Sequence, residues 1–262
     1  QFKRWCFFFP PDFSTRTIAM TDAFSPQDPQ DVFHFHCSPE RPCFNACCRD
    51  LQQVLTPHDV LCLKQFLGIS STEFLDRYTE ESIGPGTGFP VVSLRFADSA
   101  HRACPFVTPE GCRVYAARPG SCRTYPLARG VSRNRKTGVL TEQWVLIREF
   151  HCRGFESKVG HTVDTWVADQ QIARHNQMND MLLELISDKN RLHPEPLSLS
   201  ARRQVYTALY DLDRFRDLLF SAPRSGPSAA FPAAADPACQ DDDALLNLAM
   251  TWVRQTVFLH PH

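Results

Sequence analysis

The 262-residue sequence has no apolar run that approaches the roughly 20 residues a membrane-spanning helix requires. Its early apolar stretch, WCFFF, is interrupted at once by Pro10 and Pro11. The formal net charge is −1, so no excess of basic residues favours binding to nucleic acid or to an anionic membrane. We therefore expect a chain that neither crosses a membrane nor binds nucleic acid.

Motifs of several enzyme classes are also absent. The stretch GPGTG is followed by Phe and Pro rather than by a helix start or a lysine, which excludes a Walker or dinucleotide loop. Ser93 lacks the flanking glycines of a nucleophile elbow. The N-terminus lacks the basic, apolar and small-residue order of a secretory signal. We therefore expect a cytoplasmic protein.

Cysteine, by contrast, is abundant. The chain has 11 cysteines, an odd number that cannot all pair within one molecule. Cys6, Cys62 and Cys239 lie apart, and we expect them to pack or to stay inert. In a reducing compartment, clustered cysteines indicate metal ligation. The further alternative, outside the cytoplasm, is a disulfide scaffold. The eight clustered residues are Cys37, Cys43, Cys47, Cys48, Cys104, Cys112, Cys122 and Cys152.

Eight thiolates would fill two metal sites, or one site with thiols to spare, because structural zinc and iron–sulfur sites usually have four protein ligands. The sequence groups them into an early set that ends at Cys48 and a later set that begins at Cys104. Neighbouring side chains diverge in both helices and strands, so Cys47 and Cys48 should seldom serve one metal. A vicinal disulfide between them is an alternative that requires strain.

A basic run accompanies the later cysteines. Residues 111–141 contain seven arginines and lysines and no acidic residue. Four thiolates around Zn(II) or an oxidised four-iron cluster leave a charge of about −2, which nearby cations offset. We expect Arg118, Arg123 and Tyr125 to contact the cofactor, together with Tyr115. The alternative is a proline-fixed turn in which the arginines pair with backbone carbonyls.

Two histidines are alternative ligands. His36 and His151 each precede a clustered cysteine, and histidine replaces thiolate ligands in Rieske centres. The alternative is that each one packs or hydrogen-bonds nearby.

The overall pattern predicts an α+β fold that is mostly helical, with a small antiparallel strand pair, a cysteine-rich metal-binding core and C-terminal helices. We expect an irregular arm at 1–33, a cysteine-cluster domain at 34–160 and a helical extension at 161–262, with a linker at 221–240. The strand pair would be VVSLRF and GVLTEQWVLIREF, framing Cys104, Cys112 and Cys122.

Helix signals are clearer than strand signals. LTPHDVLCLKQFLG predicts a helix at 57–67 capped by Thr56, and Ser70 opens a second helix that ends near Tyr78. Helical periodicity returns from about 162 to 187 and from about 200 to 219. A last helix is predicted in DDDALLNLAMTWVRQTVFL.

Three blocks, RPCFNACC, CPFVTPEGCRVYAARPGSCRTYP and CRG, together resemble the YkgJ-type cysteine-cluster family, which is described as a zinc- or iron-chelating domain. The most specific piece is RPGSCRTYP, and the resemblance covers about residues 37–155. The family commonly opens with cysteines two residues apart, whereas here the spacings are five and three, a departure at Cys37. The flagellin lysine methylases look like distant relatives.

What the resemblance implies is a protein that holds an iron–sulfur cluster, of the four-iron type, through the eight clustered thiolates. Its role would be redox chemistry or cluster-linked modification, with a protein or redox partner. The alternative is a zinc-binding interaction module without catalysis, in which each structural metal contributes on the order of 10 kcal/mol of folding energy.

Overall fold

The computed structural model describes residues 23–85, 87–96, 102–133, 139–221 and 240–258. Most of the expected arm, and nearly all of the expected linker at 221–240, lie outside these residues. The chain divides into two compact units. We call residues 1–53 and 96–176 the thiol unit, and residues 54–95 and 177–262 the helical unit. The domain boundaries expected at 33 and 160 stay predictions.

The predicted α+β class is confirmed, and the sheets are small and antiparallel. In the thiol unit, one three-stranded sheet has the order β1-β9-β8, and two further strand pairs join β2 to β10 and β6 to β7. The strands are β1 (Phe24–Gln27), β2 (Phe33–His34), β6 (Val107–Thr108), β7 (Gly111–Cys112), β8 (Leu127–Arg133), β9 (Leu140–Ile147) and β10 (Gly160–His161).

The core of the thiol unit lies against the β8–β9 hairpin. Trp144 and Leu146 alternate with less buried neighbours on β9, as expected for a strand with one face in the core. The Trp166 indole N–H donates to the Thr124 carbonyl oxygen at 3.0 Å, which satisfies a buried donor. The buried core comprises Phe33, Phe35, Leu127, Trp144, Leu146, Val163, Trp166 and Ile172.

The thiol unit also contains short helices. Its 3-10 turns are Ala46–Cys48, Tyr115–Ala117 and Gly154–Glu156, and its α-helices are α3 (Gly120–Thr124) and α4 (Val163–Asp169). Helix α5 (Ala173–Leu192) begins in this unit, and most of its residues belong to the helical unit. The single periodic segment predicted from about 162 to 187 is therefore two helices. Gln171, with a φ of 55°, adopts the left-handed conformation that ends one helix before the next begins.

In the helical unit, the first predicted helix has its expected bounds. Helix α1 spans Pro57–Leu67, with Thr56 and Asp59 forming a reciprocal capping box and Gly68 ending the helix at a φ of 66°. Helix α2 spans Ser71–Tyr78, and the Ser70 side chain accepts from the Glu73 N–H.

The predicted strand pairing is wrong. Strands β3 (Val54–Leu55), β4 (Thr79–Ile83) and β5 (Pro90–Leu94) form a sheet of order β3-β5-β4, whereas β9 pairs with β1 and β8. The two segments therefore occupy different sheets. The unexpected partner is β4, whose sequence TEESI lies directly after α2 and is exposed over its last four residues. Such a polar edge strand carries no hydrophobic alternation to reveal it.

The remaining helices of this unit are α6 (Leu199–Leu209), α7 (Leu212–Ser221) and α8 (Asp242–Trp252), the last continuing as a π-helical turn at Val253–Phe258. The single helix predicted from about 200 to 219 is interrupted at Asp211, whose carboxylate accepts from the hydroxyls of Ser71 and Thr72 at 2.7 and 2.8 Å. Among the described residues, no helix is long and apolar enough to span a membrane.

Candidate metal centre

All eight clustered cysteines belong to the thiol unit, and none of the eight forms a disulfide. They come from separate segments: the loop after β2, the 3-10 turn Ala46–Cys48, the hairpin β6–β7 and its approach, α3, and the loop before Gly154–Glu156. The vicinal disulfide considered for Cys47 and Cys48 is not formed. How the backbone brings these segments together determines which sulfurs meet.

The first connection joins Cys48 to Cys104. The Cys104 N–H donates to the Cys48 carbonyl oxygen at 2.9 Å, and the Asp50 N–H donates to the Arg102 carbonyl oxygen at 3.2 Å. Arg49 and Ala103 form an antiparallel bridge between these two bonds. Through this short ladder, Cys48 and Cys104 lie directly opposite each other, although they are far apart in the sequence.

The hairpin that carries Cys112 packs on the turn that follows Cys43. The Asn45 side-chain amide donates to the Thr108 carbonyl oxygen at 2.9 Å. Gly111 has a φ of 129°, and a Cβ placed there would lie 3.2 Å from the Phe44 ring. A residue other than glycine would therefore be strained both in its backbone and by this contact.

A third connection brings Cys152 to the early cysteines. The His36 N–H donates to the Gly154 carbonyl oxygen at 3.0 Å, directly before Cys37. The Arg153 N–H donates to the Cys43 sulfur at 3.1 Å. The grouping by sequence position, which placed Cys152 with the later cysteines, therefore differs from the spatial arrangement.

Several of the cysteine sulfurs accept hydrogen bonds from the backbone N–H groups of residues that follow them closely in the chain. Burial raises the pKa of Cys104 to about 11, against hydrogen bonds from the Phe106 and Val107 N–H groups, which lower it. Burial likewise raises the pKa of Cys112, opposed by the Val114 N–H. An N–H can only donate, so these sulfurs are placed as acceptors, the role of a thiolate.

Cys152 has the same arrangement with an added side-chain donor. Burial raises the pKa of Cys152, while the Tyr125 hydroxyl and the Gly154 N–H act in the opposite direction and lower it. The Tyr125 ring packs edge-on against Phe35, with centroids 5.8 Å apart. The predicted role of Tyr125 as a cofactor contact stays a prediction.

The thiols also affect one another. Burial raises the pKa of Cys37 to about 11, and the neighbouring Cys47, Cys152 and Cys43 raise it further. The positive charge of Arg41 acts against this increase.

Cys48 has a different set of neighbours. A hydrogen bond with the Cys47 side chain, then burial, raise the pKa of Cys48 well above its usual range. The Cys47, Cys104 and Cys122 thiols raise it further.

Arg118 supplies positive charge close to the thiols. Its guanidinium lies 3.9 Å from the Tyr115 ring centroid and donates to the Tyr115 carbonyl oxygen and to the Gln170 side chain. Burial raises the pKa of Cys112, and the Arg118 charge acts against that increase. Arg118 therefore has a structural and an electrostatic role.

Arg123 matches the alternative expectation. It donates to the carbonyl oxygens of Arg118 at 3.1 Å and Gln170 at 3.2 Å, and also to that of Ala116. These bonds fix the turn that leads into Cys122. Its predicted role as a cofactor contact stays a prediction.

The other candidate residues occupy different positions. His151 lies 3.7 Å from the Glu149 carboxylate, and the exposed His36 contributes the backbone N–H described above. Cys62 lies on α1 in the helical unit, 3.6 Å from the His58 ring. Cys6 and Cys239 fall outside the described residues.

Gln53 also contacts the candidate site, and nothing in the sequence around it predicts this contact. The Gln53 side chain donates to the Ser121 hydroxyl at 2.6 Å, and the Cys122 thiol donates to the Gln53 side-chain oxygen at 3.5 Å. Gln53 is buried although it lies in a loop, and only the fold brings it to α3.

The assembled donors are all soft sulfurs, which suit zinc or iron–sulfur clusters. Residues 36–153 match the CxxCxxCC family model, whose description is "Putative zinc- or iron-chelating domain". The match supports the cysteine-cluster family. It includes all eight clustered cysteines, so metal binding by this stretch is supported. Comparisons with curated proteins and with solved structures found no match.

Proposed function

We propose that the protein holds an iron–sulfur cluster, of the four-iron type, through the thiolates of the thiol unit. The observation that carries the proposal is the set of backbone N–H groups bonded to the sulfurs of Cys43, Cys104, Cys112 and Cys152. Hydrogen bonds to sulfur, together with burial, set the reduction potential of such clusters. A cluster bound here would supply one-electron chemistry.

The thiols and Arg118 have properties that suit a bound metal ion or metal cluster. Burial raises the pKa of Cys37, Cys104, Cys112 and Cys152, so metal binding by these thiols must release protons. Arg118 offsets part of the negative charge that the deprotonated sulfurs would carry. The resemblance to YkgJ-type proteins and to flagellin lysine methylases favours iron over zinc and a redox or cluster-linked modification role. The clustering of cysteines as candidate metal ligands favours a reducing compartment, the cytoplasm.

The partner would be a protein or redox partner with an acidic surface. An open groove of about 510 Å³ in the thiol unit includes Arg148 and Lys158 in its lining and no acidic residue. The Arg148 guanidinium lies over the Phe155 ring at 4.4 Å from the centroid. Phe155, which lines this groove, packs against the same core of the thiol unit as Cys152.

Zinc is the second candidate, and the clustered cysteines, none of which forms a disulfide, are ligands that suit it. Zn–S bonds of about 2.3 Å draw four sulfurs tightly together, more tightly than a multi-iron cluster does. On this reading, the metal contributes folding energy and no chemistry.

Anaerobic purification separates the two candidates. Brown protein that absorbs visible light, bleaches with dithionite and contains iron and acid-labile sulfide supports the cluster, whereas colourless protein with stoichiometric zinc overturns it. Cys112→Ser and Cys122→Ser should lose iron, and Cys62→Ser, in the helical unit, is the matched control that keeps it. Loss of iron from Cys62→Ser would show that the ligands are assigned wrongly.

A further inference from the structure

We propose that the open groove of the thiol unit binds an extended acidic segment of a partner protein, with one carboxylate held by the Arg148 guanidinium and apolar side chains packed on the buried residues of the groove. The proposal rests on the proposed function only in requiring a protein partner. It specifies what that partner presents: a chain segment that carries both carboxylates and apolar side chains.

Polar side chains and buried apolar side chains line the groove together. Ser25 and Gln27 lie on one face of β1, because side chains two residues apart in a strand share a face. Leu146, which pairs with Ser25 on the neighbouring strand, and Phe33 are buried residues of the lining. Ser157 lines the groove from the segment that leads into β10. Such a lining suits a ligand with both polar and apolar groups.

Arg148 is held in position before any ligand binds. Its guanidinium lies over the Phe155 ring, 4.4 Å from the centroid. Its backbone N–H donates to the Ala23 carbonyl oxygen at 2.8 Å, which fixes the main chain at this position. A positioned guanidinium can donate two parallel hydrogen bonds to one carboxylate, so Arg148 is the residue that anchors an acidic side chain.

The acidic side chain closest to the groove in the sequence is paired with other cations. Glu156 forms ion pairs with Arg153 at 2.9 Å and with Arg41 at 3.7 Å. Within the described part of the chain, neither Arg148 nor Lys158 forms an ion pair. The described lining of the groove includes both of these cations and no acidic residue. The positive charge of the groove is therefore available to an acidic ligand.

The openness of the groove favours a protein segment over a small carboxylate. Pockets for small ligands bury about 70–90% of the ligand surface. This groove of about 510 Å³ is open to solvent, and Val32 in its lining is 59% exposed. A small carboxylate lacks the apolar groups to cover such a side chain, whereas a protein segment supplies them.

Side chains, rather than strand pairing, would hold this segment. Strand β1 is at the edge of its sheet, but it contains Pro26, which has no N–H to offer to an added strand. Charge and apolar contact therefore carry the recognition, and the attraction between the charges weakens as the salt concentration rises.

Fluorescence anisotropy of a labelled peptide with alternating glutamate and leucine residues tests the proposal on the full chain. We expect the peptide to bind, and its counterpart with glutamine in place of glutamate to bind at least about 10-fold more weakly. Arg148→Ala should weaken binding by about 10- to 100-fold, because hydrogen bonds to a charged group are lost. Arg153→Ala is the matched control: this exposed arginine is paired with Glu156, and its loss should change binding by less than about two-fold.

Two further variants keep the test decisive if Arg148→Ala is misfolded by circular dichroism. Arg148→Lys keeps the charge and loses the two parallel hydrogen bonds, so it should also bind the peptide more weakly than the wild-type protein. Lys158→Ala should weaken binding as well, by removing the second cation of the groove.

Three results would overturn the proposal: no binding of the glutamate peptide to the wild-type protein, equal binding of the two peptides, or an equal loss in Arg148→Ala and Arg153→Ala. Displacement of the peptide by an equal concentration of N-acetylglutamate would also overturn it, by showing a site for small carboxylates. Iron content separates this proposal from the proposed function. Arg148→Ala should keep the iron of the wild-type protein, and a wild-type chain that binds the peptide but holds no metal overturns the proposed function alone.

Discussion

The backbone N–H of Arg153 donates to the sulfur of Cys43 at 3.1 Å, across 110 residues of sequence. The contact joins the first and last parts of the cysteine cluster. It also makes the Cys43 sulfur the acceptor of a main-chain hydrogen bond. A main-chain N–H group therefore contributes to the site, and among substitutions only one to proline removes it.

Replacing Arg153 with proline tests this bond, because proline has no backbone N–H. Arg153 has a φ of −94° and lies at the N-cap of a 3-10 turn, a position where proline costs no helical hydrogen bond. We expect Arg153→Pro to weaken metal binding by about 10- to 100-fold, as loss of an outer hydrogen bond to a ligand does. Arg153→Ala keeps the N–H and should bind metal normally. Equal affinity of the two variants in a chelator competition would refute the role of this bond.

Removing the Tyr125 hydroxyl should weaken the centre through Cys152. Burial raises the pKa of that thiol and the hydroxyl lowers it, so Tyr125→Phe should make deprotonation harder. We expect metal affinity to fall by about 10-fold, with the ring packing against Phe35 retained. Tyr115→Phe is the control, because the Tyr115 ring is 60% exposed and its carbonyl, not its hydroxyl, accepts from Arg118. An unchanged affinity in Tyr125→Phe would contradict the prediction.

Gly154 fits a place that has no room for a side chain. A Cβ at this position would lie 2.4 Å from the buried Phe35 ring. Gly154→Ala should therefore lower the free energy of unfolding by about 1–3 kcal/mol through overpacking, measured by urea denaturation. In Gly160→Ala the nearest atom, 2.9 Å away, belongs to Val32, which is 59% exposed and can rotate. That variant should change stability by less than about 0.5 kcal/mol. The reverse order would contradict the packing described here.

The raised thiol pKa values predict how the stability of the metal-free protein depends on pH. Burial and neighbouring thiols raise the pKa of Cys37 and of Cys104 to about 11, whereas an unfolded cysteine titrates near pH ~8.5. Between these values the folded state keeps protons that the unfolded state has lost. Stability is therefore full below pH ~8.5 and falls as the pH rises toward 11.

Thermal unfolding of the reduced, chelator-treated protein between pH 8 and 11 checks this dependence. The double variant C37S/C104S, which lacks two of the perturbed thiols, controls for titration of lysine and tyrosine and should show a smaller decrease in Tm. An identical decrease in both proteins would show that the thiols do not carry the effect.

Local signals in the sequence were sufficient for several secondary-structure elements. Helix α1 has its predicted bounds because capping residues and Gly68 act within a few positions of the chain. The pairing of β5 could not be predicted, because its partner β4 is a polar edge strand without hydrophobic periodicity. The helix breaks at Gln171 and Asp211 could not be predicted either, because the first is a left-handed backbone conformation and the second involves tertiary hydrogen bonds.

The site could be predicted by residue type and not by grouping. Eight cysteines in the front half were evident, but Cys152 joins Cys43 through a backbone N–H, and Cys48 joins Cys104 through a backbone ladder. Hydrogen bonds between main-chain groups that are far apart in the sequence cannot be predicted from the types of the side chains. The same holds for Gln53, a polar loop residue whose partner Cys122 lies on a distant helix.

X-ray absorption at the edge of the metal in anaerobically purified protein tests the central claim most directly, that clustered thiolates hold the metal. We predict a first coordination shell made only of sulfur, at about 2.3 Å, with a metal–metal shell in addition for an iron–sulfur cluster. A first shell of nitrogen or oxygen at about 2.0–2.1 Å would contradict the account.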